Sequence, residues 1–312
     1  MSKIPLIVVA GPTASGKTSL SIELAKRLDS EIVSADSMQI YKYMNIGSAK
    51  PDKEEIQGIK HYMLDEVDPS VKFSVAQYAE MAHEYIKQIH DKGKVPVMVG
   101  GTGLYIQSVV DDVEFKEEET DTTIRDELTK IGEEKGGEYL VEMLREVDPV
   151  SAERLHPNNM RRVIRAIEFY RTMGFPISEH QENTKQTESR YKAVQLAINW
   201  DREILYDRIN KRVDIMVEAG LFDEVKMLMD KGYTRDTTAM QGIGYKEVMD
   251  YFDGLYSKEE TIELVKRNSR RYAKRQLTWF RRDKRIHWLD WGADIVDRAM
   301  EIVKKESEEY VK

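Results

Sequence analysis

The stretch Gly11-Pro12-Thr13-Ala14-Ser15-Gly16-Lys17-Thr18 constrains this chain more than any other. It follows the apolar run Ile4 to Ala10 and opens onto the helical pattern Leu20, Ile22, Leu24, Leu28, so it reads as strand, glycine-rich loop, helix. It fits G-x-x-x-x-G-K-[ST], a pattern that ordinary residue usage produces by accident in roughly one chain of this length in a hundred. Each fixed position has a physical task. The glycines let backbone N–H groups curl round an anion, Lys17 neutralises its charge, and Thr18 can place a hydroxyl on Mg²⁺. Gly11, Thr13, Ala14, Ser15, Gly16, Lys17 and Thr18 are therefore candidate phosphate ligands, with Thr18 the candidate metal ligand.

At 312 residues the chain can form one large domain or two modest ones. Apolar residues are 41% and charged residues 33%, which excludes disorder throughout, and no apolar run approaches the roughly 20 residues of a membrane span. The N-terminal segment leads straight into the strand that feeds the loop, so a cleaved leader is not expected there and a cytoplasmic location is. With no cysteine, disulfides, a thiolate nucleophile and cysteine-based metal sites are excluded. The net charge of −8 argues against a polyanionic partner only if charge is evenly spread. It is not: acid gathers in Glu114 to Glu119, Glu133/Glu134 and the tail Glu306 to Glu309, and base gathers elsewhere.

Glu31 to Ala35 reads as a second strand ending on Asp36-Ser37-Met38-Gln39-Ile40-Tyr41, and Val95 to Val99 as a third ending on Gly100-Gly101-Thr102-Gly103-Leu104-Tyr105. A helix is expected from Ser74 to His90. Three strand ends then deliver a phosphate loop, an Asp and a Thr to one crevice above a parallel sheet, where open α/β sheets bind ligands. Asp36 can serve as a metal ligand, a proton acceptor, or simply the cap of its own turn. Met38, Tyr41 and Tyr105 are placed beside the crevice, where an apolar substituent can pack. From about Asp112 to Arg190 only short, charge-rich helical patterns occur; the sheet pattern resumes at Ala193 to Ile198, helices follow from Arg202, and Ile286 to Leu289 reads as a last strand. The expected fold is an α/β P-loop NTPase-like parallel sheet flanked by helices, with an inserted all-helical domain. The core covers 1–112 and 192–312, and the insert 113–191.

The second strong signal is basic. Lys266, Arg270 and Lys274 are spaced by four, as are Arg267, Arg271 and Arg275, giving two adjacent stripes on one helix, continued by Arg281, Arg282, Lys284 and Arg285. Asp283 is the only acid in that span, and Tyr272, Trp279 and Phe280 interleave with the charge, a composition suited to nucleic acid. Arg161, Arg162 and Arg165 form a smaller basic face, Arg208 and Arg212 lie one turn apart, and the histidines show no metal-ligand spacing. Apart from Asp36, no hydrophobic strand ends in a clear acid, which weighs against an NTP-hydrolysing motor.

Taken together, these residues resemble the tRNA dimethylallyltransferases of the bacterial type. The resemblance spans nearly the whole chain and rests on Gly11 to Thr18, Asp36-Ser37-Met38-Gln39-Ile40-Tyr41, Gly47 to Pro51, Gly100 to Tyr105, His156-Pro157-Asn158, Arg161 to Ala166, Arg208 to Arg212, Gly242 to Lys246 and Lys274 to Trp279. Some relatives end in a Cys/His zinc module, which this cysteine-free chain lacks. The resemblance implies that the loop and Arg208 hold dimethylallyl diphosphate, that Mg²⁺ is the cofactor, and that the acceptor is N6 of the adenine next to the anticodon of tRNA. Asp36, Thr102 and Arg212 would be catalytic. Asp36 accepts a proton or hydrogen bond from the amine, Thr102 orients it, and Arg212 meets the leaving diphosphate.

The anticodon stem-loop, its target base drawn from the stack, would meet Asp36, Ser37, Met38, Gln39, Thr102, Arg125, Asn159, Arg161, Arg162, Met240, Gln241, Gly242, Tyr245, Arg271, Lys274, Arg275, Gln276, Trp279 and Arg281. No membrane and no protein partner is expected, and the protein should be a monomer. The competing reading is a small-molecule or nucleoside kinase with ATP in the loop, which leaves the basic helix without a role. An RNA-binding NTPase lacks its second acid, and a transferase acting on free adenine nucleotides leaves both helix and insert unused.

Overall fold

The computed structural model describes residues 3–113, 122–185 and 188–306, so Glu114 to Glu119 and the acidic tail beyond Glu306 lie outside the described residues. The chain divides into two compact units, Met1–Val110 with Ser189–Lys312, and Asp111–Glu188.

In the first unit, β1 (Ile4–Ala10), β2 (Ile32–Ala35), β3 (His61–Tyr62), β4 (Val97–Gly100), β5 (Tyr191–Asn199) and β6 (Ile286–Asp290) form one parallel sheet in the order β3-β2-β4-β1-β5-β6. Helices α1 (Lys17–Arg27), α2 (Lys53–Ile56), α3 (Val75–Asp91) and α4 (Gly103–Val110) precede the second unit, and α10 (Arg202–Glu218), α11 (Leu221–Asp230), α12 (Tyr245–Phe252), α13 (Lys258–Phe280) and α14 (Ile295–Glu306) follow it. The second unit holds α5 (Thr122–Lys135), α6 (Gly137–Val147), α7 (Pro149–Arg154), α8 (Met160–Met173) and α9 (Ile177–Lys185).

Strands β1 and β4 read as unbroken apolar runs, and β2 as one interrupted only by buried Ser34, because both sheet faces are covered. Alternate residues serve opposite cores: Leu6, Val8, Val33 and Met98 join Ile86, Val109, Val225 and Val248, while Ile7, Val9, Ile32 and Val97 join Leu20, Leu24, Ala299 and Val303. Ladder register then fixes the crevice. Ala10 and Ala35 both stand opposite Gly100, so β1, β2 and β4 end at one level and release their loops side by side.

The third sequence strand starts at Val97 rather than Val95, since Pro96 has no N–H to give a neighbour. Strand β3 is two residues long and α2 four, too short to show periodicity, and the sequence reading contained neither, nor α9 and α14.

The core of the second unit gathers Leu128, Leu140, Leu144, Val163 and Ile167 from α5, α6 and α8. Asp148 is buried, yet its carboxylate accepts four hydrogen bonds of 2.7–3.1 Å, from the N–H and hydroxyl of Ser151 and of Ser178, and so staples α7 to the start of α9. Burial alone would raise its carboxyl pKa; the serine donors outweigh it and hold the group below its ordinary value.

Candidate active site at the strand ends

The loop after β1 is held by its carbonyls. Arg208 Nε donates to Ala14 O at 2.9 Å and Trp200 Nε1 to Ser15 O at 2.8 Å, while Pro12 O accepts Ser15 N and Lys17 Nζ, both at 3.3 Å. Gly16, at φ +91°, caps α1 without any side-chain bond, so the first turn keeps its N–H groups for an anion on the helix axis. Ser15 Oγ is fully buried with no hydrogen-bond partner among the described residues, an arrangement that costs free energy unless a ligand oxygen meets it.

Three cations surround this cradle. Burial, reinforced by the Arg212 guanidinium and opposed by Asp36, brings the Lys17 ammonium pKa down to about 8. Burial also lowers Arg212, whose neighbour Arg208 adds to the effect while Glu55 and Asp36 oppose it; its Nη1 is 3.5 Å from Thr13 Oγ1. Several gathered cations beside one carboxylate favour a multiply charged anion.

Asp36 is both turn cap and open carboxylate. Its Oδ1 accepts Met38 N at 2.9 Å and Gln39 N at 3.4 Å, and Oδ2 makes no hydrogen bond among the described residues. Across the crevice Thr102 Oγ1 accepts Ser37 N at 3.0 Å and donates to Ser37 Oγ at 3.3 Å, tying the ends of β2 and β4 together. The glycines of Gly100-Gly101-Thr102-Gly103 are explained by close approach: side chains there would overlap the Ala35 carbonyl, Gln276 and Trp279 respectively.

Several residues expected at the RNA are taken up wholly or partly by the protein itself. Gln276 is buried, with Oε1 accepting Thr13 N at 2.9 Å and Nε2 donating to Gly101 O at 2.8 Å, so its amide braces the two loops. It also occupies the Thr13 amide, leaving only Oγ1 of that residue for a ligand. Met240 and Tyr245 are fully buried. Tyr245 donates to Glu224 at 2.8 Å, and its ring fills the space a side chain at Gly47 would take. Gly242 is covered by Met38. Tyr41 and Tyr105 belong to the core, not the crevice wall, with Tyr105 stacked on Tyr78 at 3.9 Å. Gln39 commits its amide nitrogen to Ser48 O at 3.3 Å and Ala49 O at 3.0 Å.

On α13 the first stripe is partly spent on α10: Lys266 pairs with Asp214 at 2.7 Å and Arg270 donates to Asn210. Arg267, Arg271, Lys274, Arg275 and, beyond the helix end, Arg281 and Arg282 are exposed, with no ion pair among the described residues. Gln241 is exposed, and Trp279 is half-buried against Gly103. In the second unit Arg161 and Arg162 face solvent at the start of α8, and Asn159 before them is exposed and makes no cap bond. Arg125 pairs with buried Glu168 at 2.8 Å.

Four further residues line the candidate site, and of these only Tyr272 is marked in the sequence, among the aromatics of the basic stretch. Glu224 accepts Asn45 N and Ile46 N at 2.8 Å and Gly47 N at 3.0 Å, holding the loop beside Gln39; an acid within the apolar repeat Leu221, Val225, Leu228 was its only signal. Tyr272 lies within reach of the Thr102 and Gln276 side chains, four residues before the latter, and burial together with the Asp36 charge pushes its phenol up to about 12, so it stays protonated. Trp200 and Trp291 close on the phosphate loop, Trp291 packing over Gly16.

This is a P-loop-like parallel fold whose strand ends build an anion cradle beside a carboxylate, the layout of a group-transfer enzyme. A family model described as IPP transferase matches residues 39–283, and the chain belongs to that family. A curated protein of Acetivibrio thermocellus called tRNA dimethylallyltransferase is 52% identical over 96% of this chain and 95% of its own length. One of the same name from Clostridioides difficile is 50% identical over 93% of each chain. Among solved structures, the tRNA isopentenylpyrophosphate transferase of Bacillus halodurans is 44% identical, with TM-score 0.72 over 99% of this chain and 97% of its own. A eukaryotic dimethylallyltransferase acting on tRNA is 30% identical, with TM-score 0.81 over 95% of this chain and 78% of its own.

Proposed function

We propose that this chain transfers the dimethylallyl group of dimethylallyl diphosphate to N6 of the adenine next to the anticodon of tRNA. The observation that carries the reading is the common level at which β1, β2 and β4 end, because it sets the phosphate loop, Asp36 and Thr102 round one crevice. The bond from the allylic carbon to the diphosphate oxygen breaks, and its electron pair leaves with the diphosphate. The loop amides, Ser15 Oγ, Lys17, Arg208 and Arg212 receive the charge that grows there, the largest single source of catalysis in such a step. The N6 lone pair forms the new C–N bond, and the proton it sheds goes to the open Oδ2 of Asp36, then to water. A carboxylate is a weak base, but it need only hydrogen-bond the amine as positive charge develops. Thr102 presents its oxygen to the amine and is itself held by Ser37.

The donor set suits Mg²⁺. Mg²⁺ is ordinarily bound by one or two protein oxygens together with phosphates and water, and the Thr18 hydroxyl offers such an oxygen three residues from Ser15, whose buried Oγ has no hydrogen-bond partner among the described residues. Thr18, at the start of α1, would hold it, and the ion would neutralise part of the leaving group's charge.

For RNA, the reading retains Ser37, Met38 and Gln39 at the crevice, Gln241, and Arg271, Lys274, Arg275, Trp279 and Arg281, with Arg125, Asn159, Arg161 and Arg162 of the second unit. The described residues contain no helix long and apolar enough to cross a membrane. The protein is expected to act in the cytoplasm as a monomer. Incubation with Mg²⁺, dimethylallyl diphosphate and unmodified tRNA should yield prenylated adenosine by mass spectrometry. Phosphoryl transfer from ATP to a small alcohol, with no prenylated product, would replace this reading by a kinase.

A further inference from the structure

Two tryptophans outside the proposed chemistry close on the phosphate loop from its far side. Asn199 stands opposite Asp290 where β5 and β6 end, so the next residue on each strand, Trp200 and Trp291, emerges beside the other. Their rings stack with centroids 5.4 Å apart and planes 20° apart. The Arg208 guanidinium lies 4.5 Å from the Trp200 ring centroid and 5.9 Å from that of Trp291. A Cβ added at Gly16 would stand 2.6 Å from the Trp291 ring. Trp291 nevertheless keeps 41% of its surface exposed, so core filling does not account for it.

In a trans peptide the C=O and the following N–H point in opposite directions. By holding Ser15 O at 2.8 Å, Trp200 therefore turns the Gly16 N–H away from itself and into the loop. Arg208, with Nε fixed on Ala14 O and one face on the indoles, has its plane set by protein contacts before any ligand arrives. Trp291 lies against three of these parts at once: Gly16, Trp200 and Arg208.

We propose that Trp200 and Trp291 form an aromatic bracket that pre-orders the anion cradle, with Trp291 a positioning residue that acts on the ligand through Gly16, Trp200 and Arg208. The proposal rests on the reading of the loop as a diphosphate site. Without Trp291, Trp200 loses its stacking partner and Arg208 one of its two aromatic neighbours, and the ordering cost passes to the binding step.

Calorimetric titration with Mg²⁺ and inorganic diphosphate should be run on the wild type, Trp291→Phe and Trp291→Ala, alongside steady-state kinetics, tRNA affinity and thermal melting. Trp291→Ala is expected to weaken diphosphate binding by about tenfold, the size of a lost stacking and cation–π contact. The KM for dimethylallyl diphosphate should rise by more than kcat falls, and Trp291→Phe should restore most of the affinity. Diphosphate should also change the tryptophan fluorescence of the wild type, a response that is lost in Trp291→Ala. Wild-type diphosphate affinity in Trp291→Ala, or a parallel loss of tRNA affinity and melting temperature, overturns the bracket while leaving the diphosphate reading intact. A wild type that binds tRNA but no diphosphate overturns that reading, and the bracket with it.

Discussion

The phosphate cradle and the outer face of α13 both gather positive charge, and they do so in opposite ways. In the cradle the loop is braced residue by residue: Gln276 on Thr13, Arg208 on Ala14, Trp200 on Ser15. Charge there is partly desolvated, and the Lys17 ammonium shows the cost in its lowered pKa. On α13 the side chains of Arg267, Arg271, Lys274 and Arg275 stand in solvent with no ion pair among the described residues. The first arrangement suits one small anion met at fixed distances, where low dielectric makes each contact strong. The second suits a long polyanion met at many interchangeable points, where each contact is weak and screened by salt. Single changes should therefore act steeply in the cradle and gradually on the helix.

The steepest test removes the carboxylate at the cradle's edge. Asp36→Ala should lower kcat by about 10²–10⁴-fold, the usual worth of a general base, while tRNA affinity measured by filter binding stays near the wild type. A large affinity loss with normal turnover would move Asp36 from chemistry to RNA binding. On the helix, Arg271→Glu with Arg275→Glu should weaken tRNA binding and reduce the slope of log K against log salt by about 2, roughly one per cation removed. An unchanged slope would erase the contrast between the two regions.

A third test uses pH. Lys17 titrates near 8 in the folded chain, below its ordinary 10.5, because burial and Arg212 disfavour its charge. A diphosphate needs the charged form, so binding above that pH must take up a proton. Affinity for dimethylallyl diphosphate should be level between about pH 7 and 8, where the phosphate is fully ionised, and fall about tenfold per unit above it. Lys17→Arg should move that fall to higher pH, since a guanidinium does not titrate in the range. The smallest expected effect on binding lies in the loop beside the cradle. Tyr245→Phe removes one donor from buried Glu224 and should cost about 1–3 kcal/mol of stability in denaturant titration. Its effect on tRNA affinity should be slight, because the ring is buried.

Much of this architecture is legible in the residues themselves. The loop and the two largely apolar runs ending on Asp36 and Gly100 carry local signals, because a parallel strand covered on both faces is mostly apolar along its length and a phosphate loop must be glycine-rich. The helices α8 and α10 are likewise marked by periodicity and by stops or caps, Gly174 for one and Asp201 for the other. The difficulty arises with residues whose motif neighbours are exposed and functional but which are themselves buried. Gln276, Met240 and Tyr245 sit in runs rich in polar or glycine residues, so the surface is where sequence places them; only packing shows that their partners are Thr13, Gly101 and Glu224.

Sequence alone marked Gly11 to Thr18 as the candidate anion site, because the combination of strand, glycines and lysine has few other uses. It also determined that the part of α13 from Lys266 onward carries charge of one sign. Only the tertiary structure decided which of those charges are free, since Lys266 and Arg270 are taken up by α10 and Arg271 and Arg275 are not. It alone decided how the cradle is braced, by Gln276, Arg208, Trp200 and Trp291 lying 180 residues or more further along the chain. The reason is the range of the forces involved. Backbone preference and periodicity are written within a turn or two of chain, whereas a hydrogen bond to a loop carbonyl or a ring over a glycine exists only once the sheet register has brought distant strands level.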